Sequence, residues 1–520
     1  MQPSSLSDEA RRLVTQLEAL ERVKADGGPA YHAAGIGGGF YFAYEQLRNA
    51  AAYREHHLLL RSAIERFLAR TVNWRGDHLV AAELVTELTQ SGYLKNDTIP
   101  VTKISQIDVL LHQYGQLCGQ IVKEERVKRE RAADWLYQIA SAQIEDILVP
   151  NRRLAVFMAF AYEHYLRTID LPVFEAADDE LMYPVALYCA VQRTVFKSDL
   201  ATTRYYCLAA QLPHLARQGL ANFVRTNILL DELYQAPFTN RLGRLINRYG
   251  APIRVLRELA VEGGVTTDTL ADRPALLAKI KRITQQQYQL AHQRLNGQIG
   301  KAILFIFITK TLLGVAVEVP YDLSAHGAIA WLPLGLNVLF PLLYMVLISA
   351  RVAMPGRHNT ELIASYIDRI IYAGTGSAVQ YRARKRVTSR SLRIAFNVVY
   401  VVGFTVSFGL LTWMLRQLHF NVVNGIIFFI FLSAVSFLGF RLRQSARELA
   451  MLDERQGLLQ TLADFLSTPF VRVGWWLSDR YAKLNLVTVV LDVAIEMPLK
   501  TTLRLVTQWV GFMRDKQEEL

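Results

Sequence analysis

The sequence has few cysteines and lacks a signal peptide, and both absences bear on where the chain resides. Three cysteines occur in 520 residues, Cys118, Cys189 and Cys207, and none belongs to a CxxC pair or another ligand spacing. We therefore expect buried, reduced thiols in a cytosolic compartment, with neither a disulfide framework nor a zinc site. The N-terminal stretch MQPSSLSDEARRLVTQLEAL has no basic start and no apolar run. Residues 1–300 are therefore predicted to stay in the cytoplasm.

Catalytic and cofactor motifs are also missing from the sequence. The eleven histidines contain no HxxxH pair, and chain order alone assigns no serine, histidine and aspartate to a triad. The glycine run at Gly35–Gly39 is not followed by the Lys-Ser/Thr of a phosphate-binding loop, so a hinge between helices is favoured there. No metal and no cofactor is predicted, and the sequence favours a non-enzymatic protein.

Charge is distributed unevenly along the chain. Residues 1–300 carry 35 Lys+Arg and 32 Asp+Glu, a net charge of +3, whereas residues 301–520 carry 23 and 14, a net charge of +9. The near balance of the first part gives no reason to expect a nucleic-acid-binding face. A basic excess that flanks apolar segments is instead typical of a membrane protein.

The second part of the chain contains long apolar runs. Four of them lie at 302–319, 327–350, 394–415 and 420–440. Each has roughly the 18–25 residues that an α-helix needs to cross a hydrocarbon core of about 30 Å. The sequence therefore predicts four transmembrane helices in two hairpins.

The first 300 residues have helical periodicity, as at Leu13, Leu17 and Leu20, and no run of alternating strands. The predicted fold class is all-α: a helical cytosolic N-terminal region, a four-helix transmembrane unit and a C-terminal amphipathic helical tail. The predicted units are helical cytosolic subdomains at 1–150 and 151–300, a first transmembrane hairpin at 301–350, a basic cytoplasmic loop at 351–393, a second hairpin at 394–440 and a cytoplasmic amphipathic tail at 441–520.

The loops between the apolar runs predict the orientation. The 351–393 segment holds nine Lys+Arg and two acidic residues, whereas the 320–326 segment holds no Lys or Arg. Because basic loops stay on the cytoplasmic side, we predict a multi-pass protein of the cytoplasmic membrane with both termini in the cytoplasm.

Polar side chains inside the spans are the candidate functional residues. Lys310 and Glu318 interrupt the first apolar run, and Asn337 interrupts the second. Lys310 lies at the midpoint of its span and Asn337 at the same depth, so we expect Asn337 to accept a hydrogen bond from Lys310. Glu318 lies about 12 Å further along an α-helix and is expected near the outer boundary with Asp322. Lys310 is interpreted either as a structural hub or as a functional group, since ionisable residues inside membranes are costly.

Two further segments are predicted to meet lipid. The basic stretch before the third span is predicted to contact anionic headgroups through Arg382, Arg384, Lys385, Arg386, Arg390 and Arg393. An amphipathic helix over 470–513 is predicted to lie on the cytoplasmic membrane surface, with Trp475 and Trp476 at headgroup depth.

These patterns favour one class of function and leave two alternatives. The favoured hypothesis is a non-enzymatic polytopic membrane protein with a helical cytosolic interaction domain, in a scaffold or assembly role. Its expected partners are membrane lipids and proteins that bind residues 1–300, and a homo-oligomer is compatible with the spans. One alternative is a transporter or channel that uses Lys310 and Glu318. The other is a membrane-bound enzyme without a recognisable motif.

Overall fold

The computed structural model describes most of the chain. The described ranges are 6–21, 28–33, 56–74, 80–125, 127–170, 182–350, 355–372, 381–382, 390–451 and 458–484, with single positions between them. Three features singled out in the sequence lie outside these ranges: the glycine run Gly35–Gly39, the basic residues Arg384, Lys385 and Arg386, and the tail after Leu484.

The described chain is helical almost throughout, which confirms the predicted all-α fold. The N-terminal helices are α1 (Asp8–Glu21), α2 (Leu59–Thr71), α3 (Ala81–Gln90), α4 (Val101–Glu124), α5 (Arg129–Leu148), α6 (Arg152–Thr168), α7 (Met182–Val191), α8 (Leu200–Gln218), α9 (Leu220–Leu233), α10 (Pro237–Tyr249), α11 (Ala251–Val261) and α12 (Thr267–Ala271). Two-residue strands β1 (Ile169–Asp170) and β2 (Tyr381–Arg382) pair in parallel.

The apolar helices follow. They are α13 (Arg273–Leu313), a π-helical turn (Gly314–Glu318), α14 (Val319–His326), α15 (Trp331–Ala350), α16 (Arg357–Ile371), α17 (Arg390–Gln417), α18 (Val422–Arg447) and α19 (Leu458–Leu484). Within the described residues, four segments are long and apolar enough to cross a membrane: Arg273–Ala325, Trp331–Ala350, Asn397–Gln417 and Val422–Gln444. These segments match the four predicted spans.

A first hydrophobic core forms between α2, α3, α4 and α5. Phe67, Leu84, Ile107 and Leu136 are buried in it, one from each helix. These side chains recur at helical spacing along each sequence, so each helix presents one apolar face to the others. Burial of such faces supplies most of the stability of short helices. Helices α8 and α9 border this core and connect it to the next one.

A second core joins α6, α7 and α9–α13 to two helices that are distant in sequence. Leu13 of α1 and Ile363 and Ile367 of α16 are buried in this core. The backbone N–H of Ser7 donates to the carbonyl of Ile371 at 2.8 Å, which fixes the start of α1 against the end of α16. The helix between the two transmembrane hairpins is therefore packed into the N-terminal helical region.

Two of the helices, α10 and α16, lie where the sequence pattern indicates a break or a loop. The α10 segment begins with Pro237 and contains asparagines, which read as a break, although proline is well tolerated in the first turn of a helix. Its buried positions Leu242 and Ile246 have helical spacing. The α16 segment was assigned to a loop because of its basic surroundings, but Ile363, Ile367 and Ile371 lie on one helical face.

Candidate functional site

The first transmembrane segment is the distal part of one long helix. Helix α13 has 41 residues and is capped by Asp272, whose side chain accepts a hydrogen bond from the N–H of Ala275 at 3.1 Å. Near its start, Arg273 forms a two-pronged ion pair with Asp368 of α16, at 2.7 and 2.6 Å. The sequence predicts a boundary at residue 300 between a helical cytosolic subdomain and the first transmembrane hairpin. The continuous helix instead joins the N-terminal helical region to the membrane segment without a linker.

The π-helical turn after α13 brings Lys310 and Glu318 together. Lys310 Nζ donates to Glu318 Oε1 at 2.6 Å, and both side chains are 0% exposed. In a regular α-helix, side chains eight residues apart differ by about 80° and about 12 Å. A π-turn adds one residue to the turn, so the offset falls to about 20° and the separation to about 10 Å. The two long side chains then reach one another on the same face.

This pairing corrects the predicted partner of Lys310. Asn337 does not accept from Lys310; its Nδ2 donates to Glu318 Oε2 at 2.9 Å and to the backbone carbonyl of Asn424 at 3.2 Å. Glu318 is therefore the acceptor at the centre of the cluster, not a separate group near the outer boundary. The prediction was wrong because it assumed regular α-helical rise between Lys310 and Glu318.

A chain of hydrogen bonds continues from the cluster to the ends of the spans. Asn421 caps α18, since its Oδ1 accepts from the N–H of Asn424 at 2.8 Å. Asn421 Nδ2 donates to Asp322 Oδ1 at 2.7 Å, and Asp322 Oδ2 accepts from the N–H of Ala330 at 3.2 Å, just before α15. The polar chain thus links the first hairpin to the second.

The cluster has the chemistry of a neutral, closed polar site. Lys310 Nζ also lies 5.0 Å from the ring centroid of Phe431 on α18, a cation–π contact. The ammonium and the carboxylate neutralise one another, which offsets part of the cost of removing both from water. Among the described residues, Asn337 Oδ1 and the side-chain nitrogen and oxygen of Asn424 have no hydrogen-bond partner. The site can therefore hold the hairpins together and has spare polar atoms for one further polar group.

A second set of contacts fixes the C-terminal end of α18 to the N-terminal helical region. Arg254 of α11 is buried and donates to the backbone carbonyl of Glu448 and, at 3.0 Å, to that of Thr194. Asn359 of α16 donates to the carbonyl of Leu449 at 2.8 Å. These bonds satisfy carbonyls that have no partner inside the helix. With α13 and α16, they form a third connection between the two parts of the chain.

Helix α19 packs along α18 in the opposite direction. Gly474 lies against the backbone of Ser433, and Asp464 accepts from Arg443 at 2.7 Å. Helicity over 470–484 agrees with the predicted amphipathic helix, whereas residues 485–513 of that prediction lie outside the described chain. The headgroup depth of Trp475 and Trp476 stays a prediction, and the contact of Gly474 with the middle of α18 favours a deeper position.

The residues predicted to contact anionic lipid are described only in part. Arg382 lies in β2, and Arg390 and Arg393 lie in the first turn of α17. For these three, the structure gives the backbone position alone. Because only the backbone of these residues is described, their contact with anionic lipid stays a prediction.

A buried ionic network lies in the N-terminal helical region, and the sequence analysis did not find it. Arg61 of α2 is fully buried and pairs with Glu65 at 2.5 Å and with Asp199. Glu145 of α5 belongs to the same network. Burial raises the pKa of Glu145 to about 7, Arg61 opposes this shift, and Asp199 adds to it. No local motif signals such a network, because its members come from α2, α5 and the start of α8.

This raised pKa predicts a pH-dependent stability. The folded protein holds the Glu145 proton more tightly than the unfolded chain, whose glutamate titrates near 4.5. The resulting stabilisation is complete below that value and is lost as the pH rises towards 7. We expect Glu145→Gln to change little at pH 4.5 and to raise the free energy of unfolding at pH 8 by about 1–3 kcal/mol. Denaturant unfolding of the full chain in detergent measures the free energy of unfolding at both pH values. Glu124→Gln, on the exposed face of α4, is the control. An equal effect at both pH values would contradict this expectation.

Comparisons of the chain with family models, with curated proteins and with solved structures found no match. In the described ranges, no group of three or more His, Cys, Asp or Glu side chains is placed to hold a metal ion.

Proposed function

We propose that this protein is a non-enzymatic scaffold of the cytoplasmic membrane. Both termini and the segment between the hairpins face the cytoplasm in this proposal. The N-terminal helical region presents a binding surface for other proteins, and the four spans hold that surface in a fixed orientation to the bilayer.

The observation that carries the proposal is the threefold connection between the two parts of the chain. Helix α13 continues from one part into the other, α16 returns between the hairpins to pack in the second core, and Arg254 holds the carbonyl of Glu448. A domain connected by one flexible linker would move independently of its spans. Three connections instead suit a platform whose position relative to the membrane matters.

The buried cluster adds support from inside the membrane. Lys310, Glu318 and Asn337 are closed to solvent and bonded to one another, and Asn337 also donates to the Asn424 carbonyl of the second hairpin. A transport site must alternate between access to the two sides of the membrane. A site closed by an ion pair and a hydrogen-bonded chain is better suited to assembly of the four spans.

A transporter or channel is the second candidate. The π-helical turn at Gly314–Glu318 favours it, because such turns are frequent at functional sites. The unpartnered amide atoms of Asn337 and Asn424 also leave room for a transported polar group or a proton relay. In this alternative, Glu318 exchanges a proton with its neighbours.

Ion flux in proteoliposomes separates the two candidates. The scaffold proposal expects that full-length protein moves protons and monovalent ions no faster than lipid alone, and no faster than the Glu318→Gln variant. Trapped pH-sensitive and potential-sensitive dyes measure the flux. Flux that is present in the wild type and lost in Glu318→Gln would establish the transporter instead.

A positive test of the scaffold uses the exposed surface of the N-terminal helical region. Val109 on α4 is an exposed apolar side chain, 58% accessible to solvent. A photo-crosslinking amino acid at Val109 in the full chain should capture one defined protein in native membranes. The same group at the exposed Thr102 of the same helix, nearly two turns away, serves as the control. Capture of no defined protein from either position would count against the proposal.

A further inference from the structure

A groove opens between α17 and α19, away from the buried polar cluster. Its volume is about 390 Å³, and it is lined by Tyr400, Phe404, Arg472, Val473, Trp475 and Trp476. Trp475 and Trp476 are 54% and 53% exposed. A volume in this range fits small-molecule ligands, and the lining is aromatic apart from one guanidinium and one valine.

The packing of α19 on α18 indicates the depth of this groove. Gly474 lies against Ser433, the middle residue of the apolar segment Val422–Gln444. Trp475 and Trp476 follow Gly474 directly in α19. Trp475 and Trp476 therefore lie at hydrocarbon depth where α18 crosses a bilayer, whereas Tyr400 lies near the start of the apolar segment Asn397–Gln417, at the basic end of α17.

Arg472 gives the groove a positive charge. It is exposed, and its guanidinium carbon lies 5.2 Å from the ring centroid of Tyr400. Within the described part of the chain, no carboxylate forms an ion pair with Arg472. Helical side chains lean towards the N-terminus of their helix, so Arg472 leans towards the end of α19 that begins at Leu458. That end lies on the same side as the basic start of α17.

An exposed guanidinium beside Tyr400, near the end of the apolar segment, needs a negative partner or a path to the headgroups. The phosphate of an anionic lipid supplies both, because guanidinium donors match phosphate oxygens in a two-pronged geometry. Basic pockets between transmembrane helices on the cytoplasmic side bind anionic headgroups in this way. The neighbouring tryptophans offer flat apolar surface to an acyl chain.

We propose that the groove between α17 and α19 is a binding site for an anionic phospholipid of the cytoplasmic leaflet. The lipid phosphate lies on the Arg472 guanidinium, and an acyl chain lies along Trp475 and Trp476. This site rests on the membrane placement of the spans and does not depend on the scaffold role. Ion flux in proteoliposomes would end the scaffold proposal and leave this site in place.

Tryptophan fluorescence tests the site in the full-length protein. In a background with Trp331, Trp413 and Trp509 changed to phenylalanine, Trp475 and Trp476 are the emitters expected to meet lipid. The protein is reconstituted in mixtures of phosphatidylcholine and phosphatidylglycerol, with bromine on the acyl chains of one lipid at a time. We expect the anionic lipid to bind the groove about fivefold more tightly than the zwitterionic lipid.

Variants at Arg472 identify the cause of this preference. Arg472→Gln should remove it, and Arg472→Lys, which keeps the charge, should retain part of it. Arg416→Gln, in the last turn of α17 at its other end, is the matched control and should leave it unchanged. Elution in detergent checks that each variant is folded. If Arg472→Gln does not fold, the reduced preference expected of Arg472→Lys tests the role of the guanidinium.

Three results would overturn the proposal. Equal binding of both lipids by the wild type would show an ordinary lipid-facing surface. A preference that survives Arg472→Gln would assign the charge effect to other basic residues. Absence of quenching by either lipid would show that another helix or a second copy of the chain covers the groove.

Discussion

Lys310→Leu should lower the free energy of unfolding by about 3–5 kcal/mol, because it leaves the Glu318 carboxylate buried without its counter-charge. Glu318 would keep only the hydrogen bond from Asn337. Lys310→Gln should recover part of the loss, since an amide can still donate to Glu318. Lys310→Leu combined with Glu318→Gln should recover more, because no unpaired charge then remains in the membrane. Unfolding of the full chain from mild detergent into SDS measures all three variants.

The control for this series is Lys301→Leu. Lys301 lies on the same helix and is exposed, so its replacement removes the same charge without leaving a buried partner. It should change the stability by less than about 1 kcal/mol. If Lys310→Leu is as stable as the wild type, the ion pair does not stabilise the membrane unit. If Lys310→Leu is stable but loses a cellular activity that Lys310→Gln keeps, the functional interpretation of Lys310 is favoured over the structural one.

The sequence predicts the spans well because their signal is local. Hydropathy over about twenty residues reports a transmembrane helix directly, and the four predicted runs coincide with long apolar helices. The polar residues Lys310, Glu318 and Asn337 could also be selected from the sequence, since each interrupts an apolar run. What the sequence could not supply was their pairing, which depends on one extra residue in the turn at Gly314–Glu318.

Other features could not be predicted because their partners are far apart in the chain. Helix α16 has a helical pattern of its own, yet only its contacts with α1, α11 and α13 show that it belongs to the N-terminal region. The hydrogen bonds of the buried Arg204 of α8 could not be predicted either, because its partners Gln138 and Asp231 lie on α5 and α9. Local patterns identify elements, whereas long-range contacts decide which elements share a core.

Gly474→Ala should destabilise the packing of α19 on α18, although alanine is the better helix former. A Cβ at Gly474 would overlap the backbone carbonyl oxygen of Ser433 and would lie 2.7 Å from Cβ of Phe437. A backbone carbonyl in a helix cannot rotate away, so the two helices must separate. We expect a loss of about 2–3 kcal/mol, despite a gain of up to about 1 kcal/mol from helix propensity.

Two other glycines of the same membrane unit serve as comparisons for Gly474→Ala. A Cβ at Gly403 meets the ring of Phe465, a side chain that can move, so Gly403→Ala should cost less than Gly474→Ala. A Cβ at Gly409 meets nothing within 4 Å, so Gly409→Ala should be neutral or slightly stabilising. Small residues let membrane helices approach closely, and the order of the three costs reports where that approach is needed. SDS unfolding measures the series, and bromine quenching of Trp475 and Trp476 should shift to shallower depths in Gly474→Ala. A neutral Gly474→Ala would mean that α19 does not lie along α18 in the membrane, and would favour the surface position predicted from the sequence.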